Sequence, residues 1–393
     1  MAHSLFRALA VSRAPLMALS ATGVSWGCFS AMVPAIKAQT GASDALFGLA
    51  LLGSAAGGML AIFAAPRLFA LLGHRVLPVL GVFSVLALQL PVVAQSSVML
   101  FVVMAAMGMS IGSFDINANL RISALEGASG LHLMNLNHGA FSLAFGLSAF
   151  VTGTLRAHGV AMEVIFPLMG LVVAGLSVLT WERGWEEVPD DPDEAPVTGG
   201  LPWRAIVLIA VMLFASFVGE NAVDTWSSIF LERDLGVAAG HGAFGPAMLG
   251  LVMGCFRLLG YVTTQRFGEA RVLLWSGLLA MTGVFLLSSA QGQGVALSGI
   301  GIAAAGLAVI VPTATSLLGK RVHRRQRNLA LSRAWMVGFT GFFVGPSAMG
   351  FLAEHVGLRG AFLALALLLA LVAPAVMQFE RMSRTGRLVS KAP

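Results

Sequence analysis

Long apolar segments separated by short polar connections run through the whole chain of 393 residues. A helix needs about 20 apolar residues to cross the hydrocarbon core of a bilayer, which is about 30 Å thick. We therefore predict an all-α membrane protein whose outer surface contacts lipid, since 57% of its residues are hydrophobic and only 11% are charged. The twelve predicted transmembrane helices lie at about residues 14–37, 44–66, 76–94, 97–121, 131–155, 160–181, 203–231, 243–265, 272–290, 293–317, 329–353 and 358–379.

Basic residues are concentrated in the connections on one side of the predicted bundle. Most of the 24 Lys and Arg residues, such as Arg67, Arg266 and the run 320–327, lie on the side of the N-terminus. Because cytoplasmic connections carry an excess of Lys and Arg, we predict a bacterial inner-membrane protein with both termini in the cytoplasm. The run 320–327 lies where this rule expects cations, so it does not indicate a nucleic-acid partner.

An acidic stretch rich in Pro and Gly, residues 183–202, divides the chain. It lacks apolar periodicity and is typical of a solvated linker. The flanking regions are predicted to be two six-helix bundles, residues 1–182 and 203–393. A G-x-x-x-G pair in span 2, residues 53–57, has a counterpart in span 8, residues 250–254, and other matches share nearly the same offset. An even number of spans in each half makes the halves parallel, related by a pseudo-twofold axis along the membrane normal.

This architecture resembles the major facilitator superfamily. The connections after spans 2 and 8 are similar to that superfamily's G-x-x-x-D-R-x-G-R-R signature, although the usual Asp is absent from both, around Pro66 and Gln265. Four segments resemble the fucose-permease-like branch and its poorly characterised bacterial inner-membrane relatives: residues 108–123, 133–146, 219–231 and 344–362. The resemblance implies a secondary transporter, and it leaves open whether the substrate is an imported sugar or an exported drug.

Charged side chains inside the apolar segments mark the predicted transport pathway. Three acids, Asp115, Glu220 and Asp224, lie within spans together with a clearly embedded base, Arg257. A charge at membrane depth costs at least about 2.5–3.5 kcal/mol, so it persists mainly where it faces a wet cavity or a partner. These residues therefore predict a path for a solute or a proton.

In the N-terminal half, polar residues of spans 4 and 5 are predicted to lie together. Asp115 and Asn119 share a helix face at spacing i,i+4, and span 5 brings Asn135 and His138 to the same half of the membrane. Because an Asp–His pair can exchange a proton near neutral pH, we predict proton coupling by Asp115 and His138, with Asn119 and Asn135 binding the solute. The alternatives are that Asp115 pairs with Arg121 or accepts a hydrogen bond from Asn119 to fix helix packing, and that His138 has a packing role.

The resemblance bears on Asp115 in two ways. Fucose-permease-like symporters use an acidic residue on span 4 in proton coupling, and Asp115 matches that position. They also use an acid on span 1, where this sequence has Ser25 and Trp26. The resemblance therefore implies proton coupling through Asp115, but the span 1 acid that such symporters also use is missing.

In the C-terminal half, span 7 carries Glu220, Asn221, Asp224 and Trp226. Glu220 and Asp224 are one turn apart, and two carboxylates this close cannot both be ionised cheaply. We predict that they share a proton, that Asn221 and Trp226 contact the solute, and that Arg257 is the counter-ion. The alternatives are a structural role for Asp224, a membrane-interface role for Trp226, and a hydrogen bond from Arg257 across the two halves.

The sequence does not predict an enzyme, a metal site or a cofactor. It lacks the P-loop that would bind ATP, so the predicted driving force is an ion or solute gradient. We predict a monomeric, proton-coupled transporter of a small polar solute, with export of drugs or amphipathic metabolites as the alternative. Uniport without a gradient is also open, whereas the duplicated halves argue against a static receptor or scaffold. Pro312 is expected to interrupt span 10.

Overall fold

A computed structural model describes residues 2–183, 201–323 and 326–384, and its regular structure in these ranges is helical. The expected linker therefore lies largely outside the described residues. The helices are α1 (Ala2–Val11), α2 (Arg13–Thr40), α3 (Asp44–Leu72), α4 (Val76–Leu88), α5 (Ser97–Ser129), α6 (Met134–Ala157), α7 (Met162–Val178), α8 (Trp203–Ile229), α9 (Phe244–Phe267), α10 (Glu269–Ser289), α11 (Gln293–Arg321), α12 (Arg327–Ala370) and α13 (Val372–Arg384).

These helices account for the twelve predicted spans. Among the described residues, nine helical stretches are long and apolar enough to cross a membrane. Two of them, Asp44–Val93 and Arg327–Arg384, contain two spans each, and the shorter apolar helix Met162–Val178 supplies one more. The prediction of twelve transmembrane helices is confirmed.

Local sequence signals explain where several of these helices begin and end. The Ser43 and Ser96 hydroxyls accept hydrogen bonds from the amides of Leu46 and Met99, which caps the first turns of α3 and α5. Span 11 and the first part of span 12 fall within α12, which turns at Gly357, where φ is +72°, and span 12 continues into α13. An L side chain rarely adopts this backbone conformation, so glycine permits the turn between these two spans.

The prediction for Pro312 is wrong, because α11 remains helical from Gln293 to Arg321. A proline removes one backbone donor, but lipid offers no alternative partner for the neighbouring groups, which favours keeping the remaining helical bonds. The Thr315 hydroxyl donates to the carbonyl of Val311 at 2.8 Å within the same stretch.

The bundle has two sides, which we name by the chain. The linker side is where α2 begins and α7 ends, next to the connection between the halves, and the opposite side is the far side. We refer to α2–α7 as the N-terminal half and to α8–α13 as the C-terminal half. The halves pack against each other mainly through α3 with α12 and through α6 with α9.

The two G-x-x-x-G motifs serve different interfaces. A Cβ atom on Gly53 would lie 2.1 Å from the carbonyl oxygen of Phe101, so the α3 motif lets α3 approach α5 within the N-terminal half. A Cβ atom on Gly250 would lie 2.6 Å from the backbone nitrogen of Gly146, so the α9 motif lets α9 approach α6 across the halves. Small residues drive helix association in lipid by allowing this close approach. The repeated motif thus supports both the packing of one half and the joint between halves.

Candidate transport site

The predicted polar residues of α5 and α6 meet in one hydrogen-bonded chain. The Asn119 side-chain nitrogen donates to the backbone oxygen of Asp115 at 2.9 Å and to its Oδ2 at 3.2 Å. The Asn119 Oδ1 lies 3.0 Å from Nε2 of His138. Asp115 and His138 are therefore connected through Asn119 in these contacts, rather than by the direct contact that a simple proton exchange would use. Arg121 pairs instead with Glu182, at 2.8 Å.

Arg257 of α9 is paired with Glu220 of α8, and its role as a counter-ion in transport stays a prediction. Its Nη2 lies 3.0 Å and 3.1 Å from the two carboxylate oxygens of Glu220. Both side chains retain some exposure, 18% for Arg257 and 23% for Glu220. Since a charge pair in the middle of the membrane is stable only with good geometry or contact with water, this partial exposure fits a pair at the wall of a cavity.

Ser142 of α6 connects the two clusters, and sequence analysis missed it. Arg257 Nη1 donates to the Ser142 hydroxyl at 2.6 Å, and that hydroxyl in turn donates to the carbonyl oxygen of His138 at 3.0 Å. The available signal was spacing, because Ser142 follows His138 by four residues and so shares its helix face. The guanidinium of Arg257 thus contacts both halves. It pairs with Glu220 in its own half and donates a hydrogen bond to Ser142 in the other, so both contacts considered for this residue are present.

Asp224 lies on the interface between α8 and α2, one turn towards the far side from Glu220. Its carboxylate hydrogen-bonds Ser30 of α2, a residue that sequence analysis did not single out. Ser228 also donates to the backbone oxygen of Ser30, at 3.3 Å. Glu220 thus pairs with Arg257, whereas Asp224 contacts Ser30 and keeps its buried Oδ1 without a hydrogen-bond partner among the described residues. A proton shared between the two acids stays a prediction.

Trp226 is fully buried and packs edge-on against Phe47 of α3, with 5.9 Å between the ring centroids. Its ring therefore lies inside the joint between the halves and not at the lipid interface. Within the described part of the chain, its Nε1 has no hydrogen-bond partner. A solute could reach this ring only after the halves separate, so its role in binding stays a prediction.

The two remaining predicted amides have different environments. Asn135 is exposed near the linker-side end of α6, and no contact joins it to the chain of Asp115, Asn119 and His138 in the described structure. Asn221 is partly buried on α8, and its Oδ1 is without a partner among the described residues. This acceptor is buried, so a solute hydroxyl or N–H group could reach it only after the surrounding helices move, and its role in binding stays a prediction.

On the far side, ion pairs join the two halves. Arg156 of α6 binds both carboxylate oxygens of Glu232, at 2.6 Å and 3.0 Å. Arg233 binds Asp44 of α3 at 2.8 Å, and Lys37 binds the same carboxylate at 3.0 Å. The Arg156–Glu232 and Arg233–Asp44 pairs therefore close the far side with one partner from each half, whereas Lys37 belongs to the same half as Asp44.

Close backbone contact reinforces this closure. A Cβ atom on Gly48 of α3 would lie 2.5 Å from the carbonyl oxygen of Pro346 in α12. The amide of Ala45 also donates to Glu354 of α12, at 3.2 Å. On the linker side, by contrast, the pairs Lys320–Glu269 and Arg321–Glu380 each lie within the C-terminal half. The described contacts thus tie the halves together at the far side and the centre.

No group of three or more His, Cys, Asp or Glu side chains in the described ranges is arranged to hold a metal ion. The network instead offers alternating donors and acceptors at membrane depth. Such an arrangement can bind a polar solute, change protonation, or both.

Comparison with known proteins identifies the family. The model of the Major Facilitator Superfamily matches residues 16–305 and 258–391. The chain belongs to the Major Facilitator Superfamily. It is therefore a multi-pass membrane transporter and not an enzyme, as the sequence predicted. The finer resemblance to the fucose-permease-like branch stays a prediction.

The similarity to known proteins covers almost the whole chain. An uncharacterised MFS-type transporter of Yersinia pestis is 28% identical over 373 residues, which are 93% of this chain and 94% of that protein. The inward open structure of the xylose transporter XylE from E. coli has a TM-score of 0.70 at 16% identity, covering 95% and 96% of the two chains. The nucleoside transporter NupG has a TM-score of 0.69 at 17% identity, covering 94% and 99%. At these identities the two structures establish the fold alone.

Proposed function

We propose that this transporter moves a small polar solute by alternating access and couples the movement to protons. The observation that carries the proposal is the central network, which runs from Asp115 and His138 in one half to Arg257 and Glu220 in the other. Acids and a histidine at membrane depth are costly, and they are typical of proton and substrate pathways. Structural neighbours that carry sugars and nucleosides fit the same substrate class.

The contacts between the halves suggest how the cycle works. In the described state the far side is closed by Arg156–Glu232 and Arg233–Asp44, while Arg257 and Glu220 keep partial exposure. Because excess basic residues mark the linker side as cytoplasmic, we assign this state as one that opens inward. Reopening the far side requires these ion pairs and the Arg257–Ser142 hydrogen bond to separate. Glu220 lies in the same half as Arg257, so its protonation would not break a contact between the halves directly; it would loosen the guanidinium and so weaken the Arg257–Ser142 hydrogen bond that joins them.

Export of amphipathic compounds is the second candidate, and an aromatic cluster supports it. Phe217 of α8 lies 5.6 Å from Trp335 and 4.7 Å from Phe342, measured between ring centroids. Trp335 and Phe339 are 36% and 40% exposed. Aromatic faces bind organic cations and apolar rings, so an exporter would use this surface in addition to the acids.

A thermal-shift screen of purified protein at acidic and neutral pH distinguishes the two candidates. We expect stabilisation by members of a panel of sugars, nucleosides, amino acids and organic acids, with a pH dependence that is lost in Asp115→Asn. Glu163→Gln is the matched control, because this exposed acid in the first turn of α7 lies outside the network. Stabilisation only by lipophilic cations, unchanged in Asp115→Asn, would overturn the proposal in favour of export.

A further inference from the structure

The orientation of the Asn119 side-chain amide determines which ring nitrogen of His138 carries a hydrogen. Its side-chain nitrogen faces two oxygens of Asp115, the backbone carbonyl at 2.9 Å and Oδ2 at 3.2 Å. Rotating the amide by 180° would place Oδ1 against both oxygens. A backbone carbonyl can only accept a hydrogen bond, so this arrangement is unfavourable whether or not the Asp115 carboxyl carries a proton.

It follows that Oδ1 of Asn119 faces His138 in both protonation states of Asp115. An amide oxygen accepts hydrogen bonds and does not donate them. The Nε2 of His138, 3.0 Å away, must then carry a hydrogen. In a neutral imidazole the other ring nitrogen, Nδ1, is an acceptor.

The surroundings of His138 leave Nδ1 available. Within the described part of the chain, the imidazole has no second side-chain or backbone partner besides Asn119. The charged group that faces the ring from α9 is Arg257, which cannot accept a hydrogen bond and already binds Ser142 and Glu220. An acceptor at the wall of a partly exposed network is a binding group for a solute O–H or N–H.

We infer that Asn119 is a positioning residue that holds His138 as an Nε2–H donor, so that Nδ1 is offered as the acceptor that selects solutes carrying a hydroxyl or N–H group. This inference rests on the proposed function for the identity of the site, and it changes two predictions. Asn119 acts through His138 rather than on the solute itself. Asp115 and His138 also cannot pass a proton through the amide, because a primary amide with fixed orientation carries no transferable proton.

NMR of purified protein labelled with 15N-histidine tests this arrangement without a substrate. The His138 signal is identified by its loss in His138→Gln. We expect an Nε2–H proton protected from exchange with water in the wild type, still present in Asp115→Asn, because the backbone carbonyl of residue 115 continues to hold the amide. Asn119→Asp should retain the signal, since a protonated carboxyl group can donate to the carbonyl of residue 115 while its other oxygen accepts from Nε2–H, whereas Asn119→Leu should lose it.

Asn135→Ala is the matched control and should leave the signal unchanged. An Nε2–H signal that survives Asn119→Leu, or a His138 ring protonated at Nδ1 instead, would overturn the inference. In reconstituted vesicles, Asn119→Leu should lower uptake of the solute found by thermal shift about tenfold, the size expected for losing one hydrogen bond, and Asn119→Asp should restore part of it. The NMR result stands apart from the proposed function, because proton coupling can fail in transport while the tautomer is as inferred.

Discussion

The ion pair between Arg156 and Glu232 is the far-side contact whose loss is easiest to quantify. The two hydrogen bonds are 2.6 Å and 3.0 Å long, and the side chains are 15% and 13% exposed. Hydrogen bonds to charged groups contribute about 1.5–3 kcal/mol net. Glu232→Gln keeps the shape of the side chain and removes the charge, and we estimate that it destabilises the far-closed state by about 2 kcal/mol.

This energy converts to a change in population. At 1.4 kcal/mol for each factor of ten, a loss of about 2 kcal/mol lowers the ratio of far-closed to far-open protein about 30-fold. A cysteine that is buried only when the far side is closed reports that ratio. Ala247 is suitable because it is 3% exposed and belongs to a buried cluster with Ala31, Ala149 and Ala243, drawn from both halves.

The assay is the rate of maleimide labelling of Ala247→Cys, in a background with both native cysteines replaced by alanine. We expect Glu232→Gln to raise the rate about 30-fold, with no such rise for Glu269→Gln, whose partner Lys320 lies in the same half. Equal labelling rates in the Glu232→Gln protein and its parent would refute the reasoning. So would an equally large increase for Glu269→Gln.

Three further predictions follow from the same contacts. Gly48→Ala should favour the far-open state, since its Cβ would lie 2.5 Å from a backbone oxygen of α12. Gly58→Ala on the same helix is the control and should not change the state, because its Cβ would meet nothing within 4 Å. The labelling rate of Ala247→Cys is compared between the two variants. Arg257→Gln should abolish uptake, and Glu220→Gln combined with it should recover a part, because the single change leaves Glu220 unpaired. Trp226→Phe should lower thermal stability by about 1–2 kcal/mol through lost packing on α3, and a loss of uptake larger than tenfold without destabilisation would show that the ring binds solute.

Much of the fold could be predicted from the sequence, because membrane spans follow directly from apolar length. The spans near residues 203 and 293 begin where the structure begins α8 and α11. The length of a helix outside the bilayer was harder to predict from the sequence. For example, α5 continues to Ser129 after its apolar segment ends. Whether the helix breaks at Pro312 also depends on the neighbouring helices, which the sequence of one segment does not reveal.

The individual polar residues of the candidate site could be picked out from the sequence, but the contacts between residues of different helices could not. Spacing along one helix places Asp115 next to Asn119, whereas the approach of α9 to α6 that brings Arg257 to Ser142 depends on packing between distant segments. The same limit explains why Ser30, the partner of Asp224, was missed. A hydroxyl among small apolar residues gives little signal until the facing helix is known.

The most direct test of the central claim is a measurement of proton movement that accompanies solute uptake. Purified protein is reconstituted into vesicles containing a pH-sensitive dye, and the solute identified by thermal shift is added without an imposed gradient. We expect the solute to carry protons across with wild-type protein and with Glu163→Gln, an exposed acid outside the network, and not with Asp115→Asn or Glu220→Gln. Solute uptake with no change in internal pH, or proton movement that persists in both acid variants, would contradict it.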